Sequence, residues 1–146
     1  MFRFRLQQVL DLREAREREL ASQLVDAMTS ERAAQAQLDG LQAARRANAE
    51  QVSESGTARS VGELASIAFV IQQLDGHIES AHDLVNAASW NVTQVQGALT
   101  SAHQDRRILD RLRERHQEDH RAAAEHHDRQ TMDDLAITRY MHQGTR

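Results

Sequence analysis

The chain has no cysteine and no proline among its 146 residues. The first absence excludes a disulfide framework and any cysteine-ligated metal site. The second leaves no imino acid to break a long helix. Lysine is also missing: all 18 basic residues are arginine. Either genomic base composition or a requirement for guanidinium chemistry would produce this. Aromatics make up 3% of the chain, too few for a thick globular core. No run approaches the ~18 consecutive apolar residues of a membrane span. The basic N-terminus, Met1-Phe2-Arg3-Phe4-Arg5, leads into a charged amphipathic stretch instead of an apolar signal core. These absences point to a single cytoplasmic domain over residues 1–146, with no membrane insertion.

What is present is periodic. From Leu64 the 3-4 repeat runs Leu64, Ile67, Ile71, Leu74, Ile78, Ala81, Val85, Ala88, Val92, Val95, Leu99, Ala102, Arg106, Leu109. Thirteen of these fourteen positions are apolar, which identifies a coiled-coil seam, because only a repeat near 3.5 residues keeps facing one partner helix over many turns. The first half carries a poorer seam through Leu6, Leu10, Arg13, Glu17, Leu20, Leu24, Ala27, Glu31, Ala34, Leu38, Leu41, Arg45, Asn48 and Val52. Between the halves lies the one turn-like stretch, Ser53 to Arg59, where Gly56 is suited to end a helix. Ser60-Val61-Gly62-Glu63 then matches a capping box. The expectation is an all-α fold: helix 4–53, turn 54–60 and helix 61–141, in an antiparallel coiled-coil hairpin. A turn centred near residue 57 makes facing residue numbers add to roughly 114. The longer second helix then overhangs beyond Leu112 by about 30 residues, or about 45 Å. There His116, His120 and His127 replace the apolar seam.

Chemistry has little support in this pattern. No nucleophile motif or glycine-rich phosphate loop exists, and Asp133-Asp134 are consecutive on a helix and diverge. No catalytic residue, metal ligand or cofactor is expected, and the protein reads as non-enzymatic. His116 and His120 have the i, i+4 spacing of a metal pair, but no carboxylate is placed as a third ligand and they read as a solvated polar face. A nucleic-acid partner requires a net positive stripe, whereas the net charge is -4 and the arginines alternate with acids near the chain ends. Between Arg59 and Arg106 there is no basic residue. In that stretch Phe69 and Trp90 fall at the outermost heptad position, f, with Gly76 and Gly97 on the same stripe. They form either a partner-docking stripe or two unrelated exposed aromatics.

Three segments carry a family resemblance. Phe4-Arg5-Leu6-Gln7-Gln8-Val9-Leu10-Asp11-Leu12-Arg13-Glu14 resembles the N-terminal signature of the flagellar export protein FliJ family. Arg107-Ile108-Leu109-Asp110-Arg111-Leu112-Arg113-Glu114-Arg115-His116 resembles that family's second conserved segment, and Met132-Asp133-Asp134-Leu135-Ala136 its tail. Asp133-Asp134 stands where the family tail often reads Asp-Glu, and arginine where it often has lysine. The resemblance implies a coiled-coil stalk of the type III export apparatus, peripheral at the inner face of the cell membrane. Such a stalk binds and stimulates the hexameric export ATPase, couples it to the membrane export gate and engages export chaperones. The candidate partner-binding residues are Arg13, Arg107, Arg111, Arg113 and Arg115 near the terminal end, with Phe69 and Trp90 on the outer stripe. The rival readings are the equivalent stalk of a virulence-type secretion system, and a free-standing scaffold or chaperone.

Overall fold

A computed structural model describes the backbone of residues 3–54 and 60–143, and the side chains of 3–53 and 60–139. Among them are two helices, α1 (Gln7–Glu54) and α2 (Val61–Gln143). The start of α2 follows from its capping box. The Ser60 backbone N–H donates to Glu63 Oε2 at 3.0 Å, and the Glu63 N–H donates to Ser60 Oγ at 3.3 Å. Two of the donors left unpaired at a helix start are thereby satisfied. The proposed helix stop at Gly56 lies outside the described residues.

The start of α1 comes three residues later than the seam suggested. No acid occupies its first turn, so the dipole at this end is uncompensated. The Gln7 N–H instead closes a turn on the Phe4 carbonyl at 3.1 Å. Phe4 is buried, its ring set edge-on to His116 with centroids 6.0 Å apart and planes at 80°. Burying that ring is compatible with leaving the helix early.

Packing divides the chain into two compact units, Met1–Arg16 with Ala102–Arg146, and Glu17–Ser101. Within the first unit the helices run antiparallel: Phe4 meets His116, and Arg13 Nη1 donates to Asp105 Oδ2 at 2.9 Å. Within the second, Arg45 pairs with Asp75 through a bidentate contact. That contact raises the Arg45 pKa, by the hydrogen bond first and by charge second, so the guanidinium stays ionised.

These contacts correct the expected register. Facing residue numbers add to 118–120, not 114. The reason is visible in the two seams. A sum of 119 lays every α1 seam residue from Leu10 to Val52 opposite an α2 seam residue from Leu109 to Ile67. Leu10 then shares a layer with Leu109, Leu20 with Leu99, and Leu38 with Ala81. A sum of 114 puts the a/d layers of the two seams out of step, so that knobs no longer meet holes.

Burial follows the seams closely. Thirteen of the fourteen α2 positions are buried or half-buried, the exception being Leu64 in the exposed first turns of α2. Leu10 is fully buried at 0% exposure, and Leu20, Ala27, Leu38, Ala81 and Ala102 are also buried. Truncating a leucine in such a layer removes about 2 kcal/mol or more. Arg13 and Arg45 break the α1 seam, and each resolves the break by reaching sideways to an α2 carboxylate. Both pairs are half-exposed and screened by solvent, so they add little to stability. Their role is to let polar residues occupy seam positions without an unpaired charge.

The register is directly measurable. With no native cysteine to interfere, Leu20→Cys combined with Leu99→Cys should form an intrachain disulfide readily. Leu20→Cys combined with Gln94→Cys, the pairing of the 114 register, should crosslink poorly. Preferential crosslinking of the second pair would restore the earlier register.

Candidate partner interface

The last turns of α2 that face α1 concentrate the arginines. Arg106 Nη1 donates to Asp110 Oδ2 at 3.1 Å, and Arg113 Nη2 lies 3.7 Å from Asp110 Oδ1. Asp110 therefore engages two arginines, one on each oxygen. Glu14, His103, Arg106, Arg107, Asp110, Arg111, Arg113 and Glu114 line one shallow depression here. The predicted site residues separate into two groups. Arg13 is committed to Asp105, and Arg113 is half-buried beside Asp110. Arg107, Arg111 and Arg115 are exposed and make no ion pair among the described residues. They stand at i, i+4 and i+8, so three like charges share one stripe of α2. Such an arrangement disfavours the helix by a few tenths of a kcal/mol per pair. A carboxylate-bearing partner converts it into bidentate contacts.

A second surface lies on the outer stripe of α2 in the other unit. Phe69 is 61% exposed and Trp90 66% exposed. Neither supports the seam. A Cβ built at Gly76 or Gly97 meets nothing within 4 Å. Nothing among the described residues therefore requires glycine at these positions, although glycine inside a helix is destabilising.

Sequence reading missed two features. The exposed Val9, Leu12 and Ile108 form an apolar flank in the first unit, and Val9, Arg13, Asp105, Ile108 and Leu109 line a recess there. Their flank heptad positions g and c could have revealed them. His116, itself exposed, still meets the Phe4 ring and so marks the edge of the hairpin. From Glu114 to Arg139 every described residue is exposed. Among the described residues, no group of three or more histidines and acids is placed to hold a metal ion.

The fold and these surfaces define a coiled-coil interaction protein, with two antiparallel helices and exposed basic and aromatic stripes. The profile of the Flagellar FliJ protein family matches residues 1–145, and the chain belongs to the FliJ family. No curated protein and no solved structure matches significantly. Membership gives the chain a role in flagellar type III protein export, in a family of non-enzymatic components of the cytoplasmic export apparatus. No described helix is long and apolar enough to cross a membrane.

The open glycines yield a test. Gly97→Ala should stabilise the free protein by up to about 1 kcal/mol, read as a raised thermal midpoint. A lowered midpoint would show that the chain itself packs against this position.

Proposed function

We propose that this protein is the stalk that engages the hexameric export ATPase, stimulates it, and links it to the membrane export gate from the cytoplasmic side. The observation that carries this reading is the unpaired stripe Arg107, Arg111 and Arg115. Guanidinium groups already satisfied within the chain have less to offer a partner, and Arg13 and Arg113 are in that position. They remain part of the proposed surface as positioning residues: Arg13 fixes α1 against Asp105, and Arg113 helps hold Asp110 beneath the stripe. The stripe itself meets carboxylates on the ATPase. Electrostatic complementarity of this kind sets association rate and orientation more than raw affinity.

Phe69 and Trp90 form the second surface, for the export gate or an export chaperone. Tryptophan is the stronger anchor, because burying its ring on docking removes a large apolar area and its N–H still finds an acceptor. Open space over Gly76 and Gly97 lets a partner backbone approach closely between and beyond the two rings.

Reversing Arg107, Arg111 and Arg115 to Glu should abolish stimulation of the export ATPase while circular dichroism stays that of the native protein. Raised salt should weaken the wild-type effect in the same direction, since exposed charges are screened beyond about 10 Å at 0.1 M. Undiminished stimulation by the triple variant would overturn the assignment of the stripe to the ATPase.

The aromatic surface is separable from the basic one. Trp90→Ala should keep ATPase stimulation and helicity but reduce capture of the gate's cytoplasmic domain by about tenfold or more, the scale of an interface anchor. Unchanged gate capture and full motility would return Trp90 to an incidental surface position.

A further inference from the structure

The exposed end of α2 is electrically divided along its length. Residues 106–115 hold five arginines against Asp110 and Glu114, and Asp110 is engaged by Arg106 and Arg113. Residues 118–134 hold Glu118, Asp119, Glu125, Asp128, Asp133 and Asp134 against Arg121 and Arg129. None of these six carboxylates makes an ion pair among the described residues. A basic segment, still covered on one side by α1, is thus followed along α2 by an acidic, fully exposed one, with the change of sign between residues 115 and 118. Apolar side chains mark the two ends of this stretch. Ile108 is 65% exposed at one end, beside the recess it shares with Val9 and Leu109. Met132 is 70% exposed at the other, with Leu135 and Ile137 also exposed.

We propose that the exposed end of α2 is a self-complementary surface whose partner is a second copy of this chain, paired antiparallel. Antiparallel pairing in which facing residue numbers add to about 240 sets residues 106–115 of one copy against residues 125–134 of the other, twice over. It brings Met132 and Leu135 of one copy to the level of Ile108 of the other. A two-fold axis relates the copies, so each favourable contact occurs twice, as an isologous interface requires. Parallel pairing sets like charges together along the whole stretch and is disfavoured. The helix gains what it lacks alone: a partner for its charges and cover for its apolar ends, where an isolated polar helix is marginal. The pairing draws on the same arginine stripe as the ATPase reading, so on one copy the two contacts exclude each other, and only the variant of the acidic segment separates them.

The test uses the full chain in sedimentation equilibrium over a range of concentrations, at low and at high salt. The expected result is a reversible monomer–dimer equilibrium at low salt, shifted toward monomer at high salt. Two variants then probe the pairing: Arg107→Glu with Arg111→Glu and Arg115→Glu, and Glu125→Arg with Asp128→Arg and Asp133→Arg. Each alone should dimerise at least tenfold more weakly than the wild type with helicity unchanged. Mixed one to one, they should recover a heterodimer, because each segment then faces the opposite sign. A monomer at every concentration, a dimer indifferent to both variants, or a mixture that fails to associate would each overturn the proposal. Binding of the acidic segment to the export ATPase by a monomeric wild-type chain would assign the surface to that partner instead.

Discussion

Layer-on-layer matching of two apolar seams is the constraint on which the rest of this structure depends. Both helices are long and polar on most of their surface, and neither has much reason to be stable by itself. Each gains stability by burying one narrow stripe. Two stripes with a 3-4 repeat can be buried together only in registers that place seam opposite seam. The contacts Phe4–His116, Arg13–Asp105 and Arg45–Asp75 all sit within one residue of such a register. Everything else follows from where α2 runs past the end of α1. Beyond Arg113, α2 has no covered residue among those described, and its charges face solvent.

The same constraint sorts the arginines. A charged residue at a seam position can be accommodated by a counter-charge at the flank, as Arg13, Arg45 and Arg106 are. A residue on the outer face needs none. Arg107, Arg111 and Arg115 are therefore unclaimed by the fold, as are Phe69 and Trp90. Function in a protein of this kind resides in what packing leaves over. Membership of the FliJ family gives that surplus its setting, the flagellar export apparatus.

Much of this was legible in the residues. The α2 seam was readable because thirteen of its fourteen positions are apolar and no proline interrupts them. Ser60 and Glu63 announced the helix start, and both capping bonds form. The outward position of Phe69 and Trp90 followed from heptad phase alone. The register did not follow from guessing the centre of the turn, because Gly56 marks where a helix can stop and not where its partner begins to be covered. Matching the two seam lists would have found it. The state of each arginine was less accessible. Arg111 and Arg113 look alike in sequence, yet Arg113 sits within reach of Asp110 and Arg111 does not pair, a distinction set by their angular positions on α2. Phe4 was the other gap: nothing in a heptad reading shows that a residue ahead of the helix folds onto His116.

Amide hydrogen exchange, followed with and without the export ATPase at high dilution, tests the central claim most directly. That claim is that seam packing stabilises the hairpin and leaves the end of α2 for a partner. Amides of residues 20–40 and 81–102 should exchange slowly in the free protein, those of 117–139 quickly. Adding the ATPase should slow exchange around residues 107–115 and leave 20–40 unchanged. Equal protection along all of α2 in the free chain, or no change around 107–115 with the ATPase bound, would contradict the account.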